Sequence, residues 1–421
     1  MLDIATIRES PKIVKASLKK RNLPEKQVDE VLKLDEEWRK LKGDADSLRA
    51  KRNKISEEIN AAKKAGGDVK KIIKEAQEVP QKVAKIEERV QKIRQELDNI
   101  LNNMPNILHE SVPAGKTAED NPVVRKFGKP RKFDFELKGH GELAEQNNWA
   151  DFKRAAKNAG AGFVYLKGQL AVLDIALQRF AVDMMIKNGF TLVEPPFLLN
   201  KDAYSAVTPL KDFENVMYKI ENEEMYLIAT SEHPLAALHM NEVLKDEELP
   251  VTVCGISPCF RKEIGSHGVD TRGFFRMHQF NKIEQVVLCK PEESWKWFEK
   301  MQKITESIFQ ELEIPYRIIE ICSGDLSPKN AKQYDIEGWF PRQGKYAELG
   351  SCSNCTTYQA ARANIRYQKK DGTREYVHTL NNTATATSRA MVAILENHQN
   401  KDGTVDIPKA LQKYTGFKKM K

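Results

Sequence analysis

Apolar residues at Leu34, Trp38, Leu41, Ala45, Leu48, Ile55, Ile59 and Ala62 follow one another in alternating steps of four and three, with only Arg52 polar in the series. That spacing keeps a single stripe of a helix apolar and predicts a heptad seam. A second seam runs through Ala76, Val79, Val83, Ile86, Val90, Ile93, Leu97, Ile100 and Met104, with Pro80 beside it as a potential kink. Between the two lies Ala65-Gly66-Gly67-Asp68, where the glycines permit a tight reversal and Asp68 can cap the next helix. The pattern predicts two antiparallel helices of about 38 residues, each roughly 55 Å long at the usual helical rise. That is too long for a compact domain, so the expectation is a coiled-coil arm.

Around the arm, residues 1–24 predict a short helical piece ending at Pro24, and Met104-Pro105-Asn106 stops the second long helix. The following HESVPAGKTAEDNP reads as a linker. The expected division is an N-terminal unit of residues 1–112, carrying the hairpin over about 26–104, and a second unit of 113–421. In that second unit helical stretches alternate with strand-like runs: FTLVEPPFLL, MYLIAT, PVTVCGIS, FNKIEQVVLC and YRIIEI. An α+β domain is predicted.

Charge sharpens the picture of the arm. The chain carries a net +8, a mild excess that attracts phosphate-rich partners without selecting one. Its distribution says more: residues 49–74 hold nine Lys or Arg against three Asp or Glu, while 26–48 hold five against seven. Arg49, Lys51, Arg52, Lys54, Lys63, Lys64, Lys70, Lys71 and Lys74 make the far end positive, which suits shape-reading of an RNA backbone. A solvated coiled coil used for protein contacts fits this segment alone equally well. No apolar run approaches the roughly 20 residues of a membrane span, and the N-terminus lacks a signal layout. A cytoplasmic protein without a membrane partner is expected. Six cysteines, all beyond residue 250, are expected as reduced thiols, and Cys352-x-x-Cys355 has no second pair at ligand spacing, so no zinc is expected.

Neither G-x-x-x-x-G-K-[ST] nor G-x-G-x-x-G occurs, so a nucleotide would have to be held by other means. The densest cluster of functional residue types is FRKEIGSHGVDTRGFFRMHQFNKIE, residues 260–284, read as strand, long loop, strand. Arg261 and Arg276 flank the loop and could converge on one anion, since a guanidinium fork binds phosphate oxygens in pairs. Structural pairing of these arginines with Glu263 and Glu284 is the alternative.

This stretch closely resembles the second signature motif of class II aminoacyl-tRNA synthetases, and in GSHGVDTRG followed by HQF it resembles the seryl-tRNA synthetase version. GFTLVEPPFLL resembles the first motif, Thr230-Ser231-Glu232 the serine-binding triplet, Glu348-Leu349-Gly350-Ser351 the ATP and metal segment, and LNNTATATSRAMVAILEN the third motif. The resemblance spans nearly the whole chain. It implies a catalytic domain with an antiparallel sheet flanked by helices, a homodimer, and a hairpin that grips the long variable arm of serine tRNA. The implied activity is that of a serine–tRNA ligase working through seryl-adenylate on ATP, Mg²⁺ and L-serine, with selenocysteine tRNA as a second candidate acceptor.

Residue roles are implied in the same way. Arg261 would hold the α-phosphate, and Arg276 and Arg389 the β- and γ-phosphates. Phe280 would stack on adenine with Met277 against the nucleotide, while Glu263, beside Lys262 in the ATP-binding run, would read the adenine edge or order the loop. Glu348 and Ser351 would be the Mg²⁺ ligands, with Leu349 and Gly350 between them. Thr230 and Glu232, flanking Ser231, would grip the α-amino group, Arg261 would also face serine, and Glu284 would accept a hydrogen bond from the serine hydroxyl. Thr383, with Asn381 nearby, would wall off threonine. His267 and His278 are expected to order the loop, because the attacking carboxylate needs no base. Asn381-Asn382-Thr383-Ala384 replaces the N-G-S-G of bacterial-type relatives and is closer to the archaeal and eukaryotic pattern. Two rivals remain at this point: a silent RNA-binding scaffold, and an amino-acid:carrier-protein ligase, which would lack the arm.

Overall fold

The computed structural model describes residues 2–64, 70–209, 215–263 and 273–421, without the side chains of 62, 63 and 70–78. The predicted reversal at 65–68, His267 and the side chains of Lys63, Lys70, Lys71 and Lys74 therefore lie outside the described residues. The chain divides into two compact units, Met1–Pro105 and Asn106–Lys421.

The first unit is helical. Helix α1 (Ile4–Glu9) is capped by Asp3, whose carboxylate accepts from the Ala5 amide at 3.2 Å, and α2 (Pro11–Lys20) starts on a proline, which needs no amide partner there. The two heptad seams become α3 (Lys26–Lys64) and α4 (Lys70–Asn103). They are antiparallel: Ile55 late in α3 meets Val79 and Val83 early in α4, while Trp38 early in α3 lies under Arg94 late in α4. Helix α4 runs on through Pro80.

Ion pairs link the two helices on the outside, Arg89 to Glu37 at 2.8 Å and Arg49 to Glu87. Arg49 also pairs with Asp46 at 3.0 Å. Its charge is thus answered from two sides, by carboxylates from both helices that would compete with a phosphate for it. Arg52, Lys54 and Lys64 are exposed.

The second unit is built on an eight-stranded sheet. Its strands in chain order are β1 (Val123–Phe127), β2 (Thr191–Val193), β3 (Val251–Phe260), β4 (Gln279–Cys289), β5 (Tyr316–Glu320), β6 (Lys332–Phe340), β7 (Lys345–Asn354) and β8 (His378–Ala386). In space they run β1-β5-β6-β7-β8-β4-β3-β2, antiparallel throughout except that edge strand β2 lies parallel to β3. This is the expected α+β architecture.

Both faces of the sheet are covered, which is why the second half of β4 ends in the unbroken apolar run Val286-Val287-Leu288-Cys289. Ile283, Val287 and Cys289 join the large core with helices α5 (Gly168–Lys187), α6 (Ser294–Glu311) and α7 (Thr387–Asn397). Val286 and Leu288 point the other way, into a smaller cluster with Ala360, Ile365 and Val377. By the same two-residue period Lys282 and Glu284 stand on the face of Val286.

The boundary between units falls at 105/106 and not near 112. Leu108 and Val112 pack with Ile319, Ile321 and Leu326, and the buried Asn106 amide donates to the carbonyls of Lys329 at 2.9 Å and Cys355 at 2.7 Å. The composition of a linker conceals a segment whose polar groups find partners more than 200 residues away.

Candidate active site

Strands β3 and β4 pair from Val251 with Leu288 out to Phe260 with Gln279, and the ladder continues one step as the Arg261 amide donates to the His278 carbonyl at 2.8 Å. This register brings Arg261 and Phe280 together, with the guanidinium 5.3 Å from the ring centroid. Arg261 is also anchored by Nε donating to the Ala229 carbonyl at 3.2 Å. Arg276 faces Glu263 at 3.5 Å and is half-exposed, free to meet a ligand. Glu263 itself takes a left-handed φ of 44°, a conformation that a non-glycine residue adopts at a cost and that is common at functional loops.

Arg389 comes from the first turn of α7, where a cation opposes the helix dipole. It is held there by Glu348, donating to its carbonyl at 3.0 Å and lying 3.2 Å from its carboxylate, and by the Phe275 ring at 5.3 Å. These groups, with Met277, Leu349, Gly350, Thr383 and Ser388, line one pocket of about 440 Å³ that is partly open to solvent. Its walls carry Arg261, Arg276 and Arg389 against Glu263 and Glu348, three cations to two carboxylates, while the charge of Lys282, also in the wall, is answered by Glu284. With the amide end of α7 added, the pocket is a site for a polyanion.

At one wall Ser351 Oγ donates to Glu348 Oε1 at 3.2 Å. The crowded wall disfavours the Glu348 charge, but Arg389 and then Arg261 hold its carboxyl below the usual range. Asp335, opposite Ser351 on β6, is pushed well above that range by burial and by Glu348.

Deeper in the sheet the groups are buried carboxylates, each with a lysine. Glu284 is 2% exposed, and its Oε2 meets Lys282 Nζ at 2.7 Å and accepts from Thr383 Oγ1 at 3.2 Å. Burial raises the Glu284 carboxyl and Lys282 opposes the rise. Glu232 is bound by Lys329 and by the Gln359 amide at 2.9 Å. Burial would raise its carboxyl too, but the Lys329 charge prevails and brings it to about 2. His233, hydrogen-bonded to the Tyr204 hydroxyl at 2.9 Å, is driven down to about 3 by burial and stays neutral. The rest of the triplet is buried as well: Thr230 Oγ1 accepts from the Glu232 amide at 3.1 Å, and Ser231 packs against Gly255, where an added methyl would fall 2.7 Å from the Ser231 Cβ.

The fold thus gathers ten of the residues singled out from sequence, Arg261, Glu263, Arg276, Met277, Phe280, Glu348, Leu349, Gly350, Thr383 and Arg389, around one cavity. Lys262 is not among its walls; its ammonium lies 5.9 Å from the Tyr218 ring centroid. Asn381 donates to Cys355 Sγ at 3.7 Å. His278 hydrogen-bonds the Tyr218 hydroxyl at 2.5 Å and stacks on Phe163. Cys352 donates to the Phe298 carbonyl and Cys355 to Asn330. Lys282, Lys329 and Phe275 were missed. Only Lys282 had a legible signal, a lysine two residues before a glutamate and hence on the same face of a predicted strand.

The described end of the long loop rests on a buried pair. His140 Nδ1 lies 3.1 Å from Glu396 Oε1, and its ring packs edge-on against Phe274. A methyl on Gly273 would fall 2.0 Å from His140 Nε2. Gly273→Ala is therefore expected to lower stability by about 1–3 kcal/mol, the scale of overpacking, and to add less than that to the loss caused by His140→Ala, because the clash is gone once the ring is absent. Thermal melts of the single and double variants check this.

Comparison with known proteins agrees with this geometry. The tRNA synthetase class II core domain (G, H, P, S and T) family matches residues 215–398, and the seryl-tRNA synthetase N-terminal domain family matches residues 1–108. The serine–tRNA ligase of Methanoregula boonei is 53% identical over 418 residues, covering 98% of both chains. The crystal structure of seryl-tRNA synthetase from Pyrococcus horikoshii complexed with ATP superposes with a TM-score of 0.94 at 48% identity, covering 100% of this chain and 99% of that one. The cytoplasmic serine–tRNA ligase of Naegleria fowleri in complex with AMP gives 0.90 at 36% identity, with the same coverage. Matched in both units and along its whole length, the chain belongs to the seryl-tRNA synthetase family of class II aminoacyl-tRNA synthetases.

Proposed function

We propose that this protein activates L-serine with ATP and transfers the seryl group to the 3′ end of serine tRNA. The observation that carries the reading is the convergence of three guanidinium groups on one pocket next to a buried, lysine-paired glutamate. In the first step the serine carboxylate attacks the α-phosphorus and pyrophosphate leaves. The carboxylate is already ionised, so the protein supplies no base; Arg261 neutralises charge on the α-phosphate while Arg276 and Arg389 hold the leaving group. In the second step the terminal ribose hydroxyl of the tRNA takes the seryl group and AMP is released. No side chain forms a covalent intermediate, and positioning carries much of the rate.

Glu348 and Ser351 are the residues that would hold Mg²⁺. Among the described residues no group of three or more His, Cys, Asp or Glu is placed to hold an ion. One carboxylate kept ionised by arginines plus one hydroxyl suits a hard cation that takes its other ligands from phosphate oxygens and water. When bound, the ion adds positive charge at the phosphate oxygens.

Selection of serine falls to Glu284 and Thr383. A buried carboxylate aimed at a hydroxyl rejects alanine because it would be left without that donor, by a factor that reaches roughly 10⁴ in sites of this kind. Thr230, Ser231 and Glu232 are proposed for the α-amino end, and the α3–α4 hairpin for the long variable arm of the tRNA. A homodimer is part of the reading, supported by the exposed Val172, Ile175 and Ile186 on α5 and by Leu192, Phe197 and Leu198 at and beyond edge strand β2. Among the described residues no helix is long and apolar enough to cross a membrane, and action in the cytoplasm is proposed.

The expected result is serine-dependent exchange of pyrophosphate into ATP, together with charging of serine tRNA that drops sharply when the long variable arm is removed. Folded protein without exchange above background would return the scaffold reading, and charging indifferent to the variable arm would remove the hairpin from recognition.

A further inference from the structure

Lys282 is buried, lines the nucleotide pocket, and has no role in the reaction as described so far. It stands two residues before Glu284 on β4, so both side chains leave the same face of the strand. Its ammonium lies 2.7 Å from Glu284 Oε2, and Thr383 Oγ1 donates to that same oxygen at 3.2 Å. Both of these contacts fall on Oε2. The carboxylate is therefore tied by one oxygen, through two donors from two neighbouring strands, and presents the other.

A buried ion pair is a poor source of stability, since a well-packed apolar pair of the same size often serves as well. A lone carboxylate on this face would be driven toward its neutral form by burial, and a carboxylate free to rotate would divide its acceptor strength between orientations. Lysine at 282 answers both problems at once, and its position against the sheet leaves it no other carboxylate at bonding distance among the described ion pairs.

We propose that Lys282 is a positioning residue for amino-acid selection: it fixes Glu284 by Oε2 so that Oε1 is the acceptor offered to the substrate hydroxyl. The inference rests on the serine-activating function proposed above. Lys282 acts through Glu284, and its contribution should vanish where Glu284 carries no charge.

A double-mutant cycle on the full-length protein tests this, using Lys282→Met, Glu284→Gln and the double variant in pyrophosphate exchange driven by serine and, separately, by alanine. Lys282→Met is expected to lower kcat/KM for serine by about 30-fold or more, with alanine-driven exchange and KM for ATP changed by less than about threefold, because only the hydroxyl contact is weakened. In the Glu284→Gln background the same change should cost less than about threefold, since residues acting as one unit do not add. If Lys282→Met alone fails to fold, the double variant, which buries no unpaired charge, still decides by matching or falling below Glu284→Gln. Losses that multiply, or a loss of serine and alanine exchange alike, would overturn the proposal. Absence of serine-dependent exchange in the unmodified protein would instead overturn the activity on which it rests.

Discussion

Arg261→Ala is expected to lower kcat for serine-dependent pyrophosphate exchange by about 10²–10³-fold, the scale on which loss of one preorganised donor to developing charge acts. The size follows from how the side chain is held. Its Nε is committed to the Ala229 carbonyl at 3.2 Å and its guanidinium carbon lies 5.3 Å from the centre of the Phe280 ring, so the side chain is fixed in the pocket wall before any ligand arrives. The same charge helps keep Glu348 ionised, so its removal also weakens the proposed metal ligand. Arg261→Lys keeps a cation but neither the fork nor the stacking plane, and should recover only a minor part of the loss. Steady-state exchange at saturating ATP and serine gives the measurement; a drop below about tenfold would mean that the charge at this position is replaceable and that Arg276 and Arg389 bear the main load.

Deleting residues 30–102 and closing the gap with a short linker is expected to leave exchange within about threefold and to lower kcat/KM for tRNA charging by at least about 10²-fold, the scale of a few phosphate contacts. Each unit buries its own apolar residues, Ile55, Val79 and Val83 in the hairpin and the large sheet core in the other, so the catalytic unit loses no interior packing from its own core. Equal loss of both activities would show that the hairpin serves catalysis and not tRNA. A graded version distinguishes the basic residues from one another. Neutralising Arg52 and Lys54 should flatten the dependence of tRNA KM on salt, whereas Arg49→Gln should change it less, because Asp46 and Glu87 already answer that charge.

Much of this architecture could be read from local pattern. The heptads of 34–62 and 76–104 are long enough that periodicity alone distinguishes them, and the apolar run Val286 to Cys289 marks a strand covered on both faces. The arginines were legible for a related reason: Arg261 and Arg276 sit at the two ends of a loop whose flanking strands must pair, so they are brought near each other by the hairpin itself. What escaped were partners joined only by the tertiary fold. Lys329 reaches Glu232 across 97 residues, and His140 reaches Glu396 across 256. Nothing in either neighbourhood reports the other, since a buried charge is recognisable only once its surroundings are known. Residues 109–122 read as a linker for the complementary reason, because turn-forming residues signal flexibility until Ser111, Gly115 and Asn121 are seen to bond Glu320, Ser323 and Asp325.

Strand β4 carries its apolar anchors and the groups proposed for selectivity on one backbone, with Lys282 and Glu284 in line with Val286 and Leu288. A slip of one position against β3 or β8 would therefore do more than loosen the packing. It would turn Ile283 and Gln285 toward the substrate and drive two charged groups into the opposite layer. Insertions or deletions within this strand are closed to the protein as a route of change, so diversity around the amino-acid pocket has to come from exchanging side chains in place or from altering the loops at the strand ends.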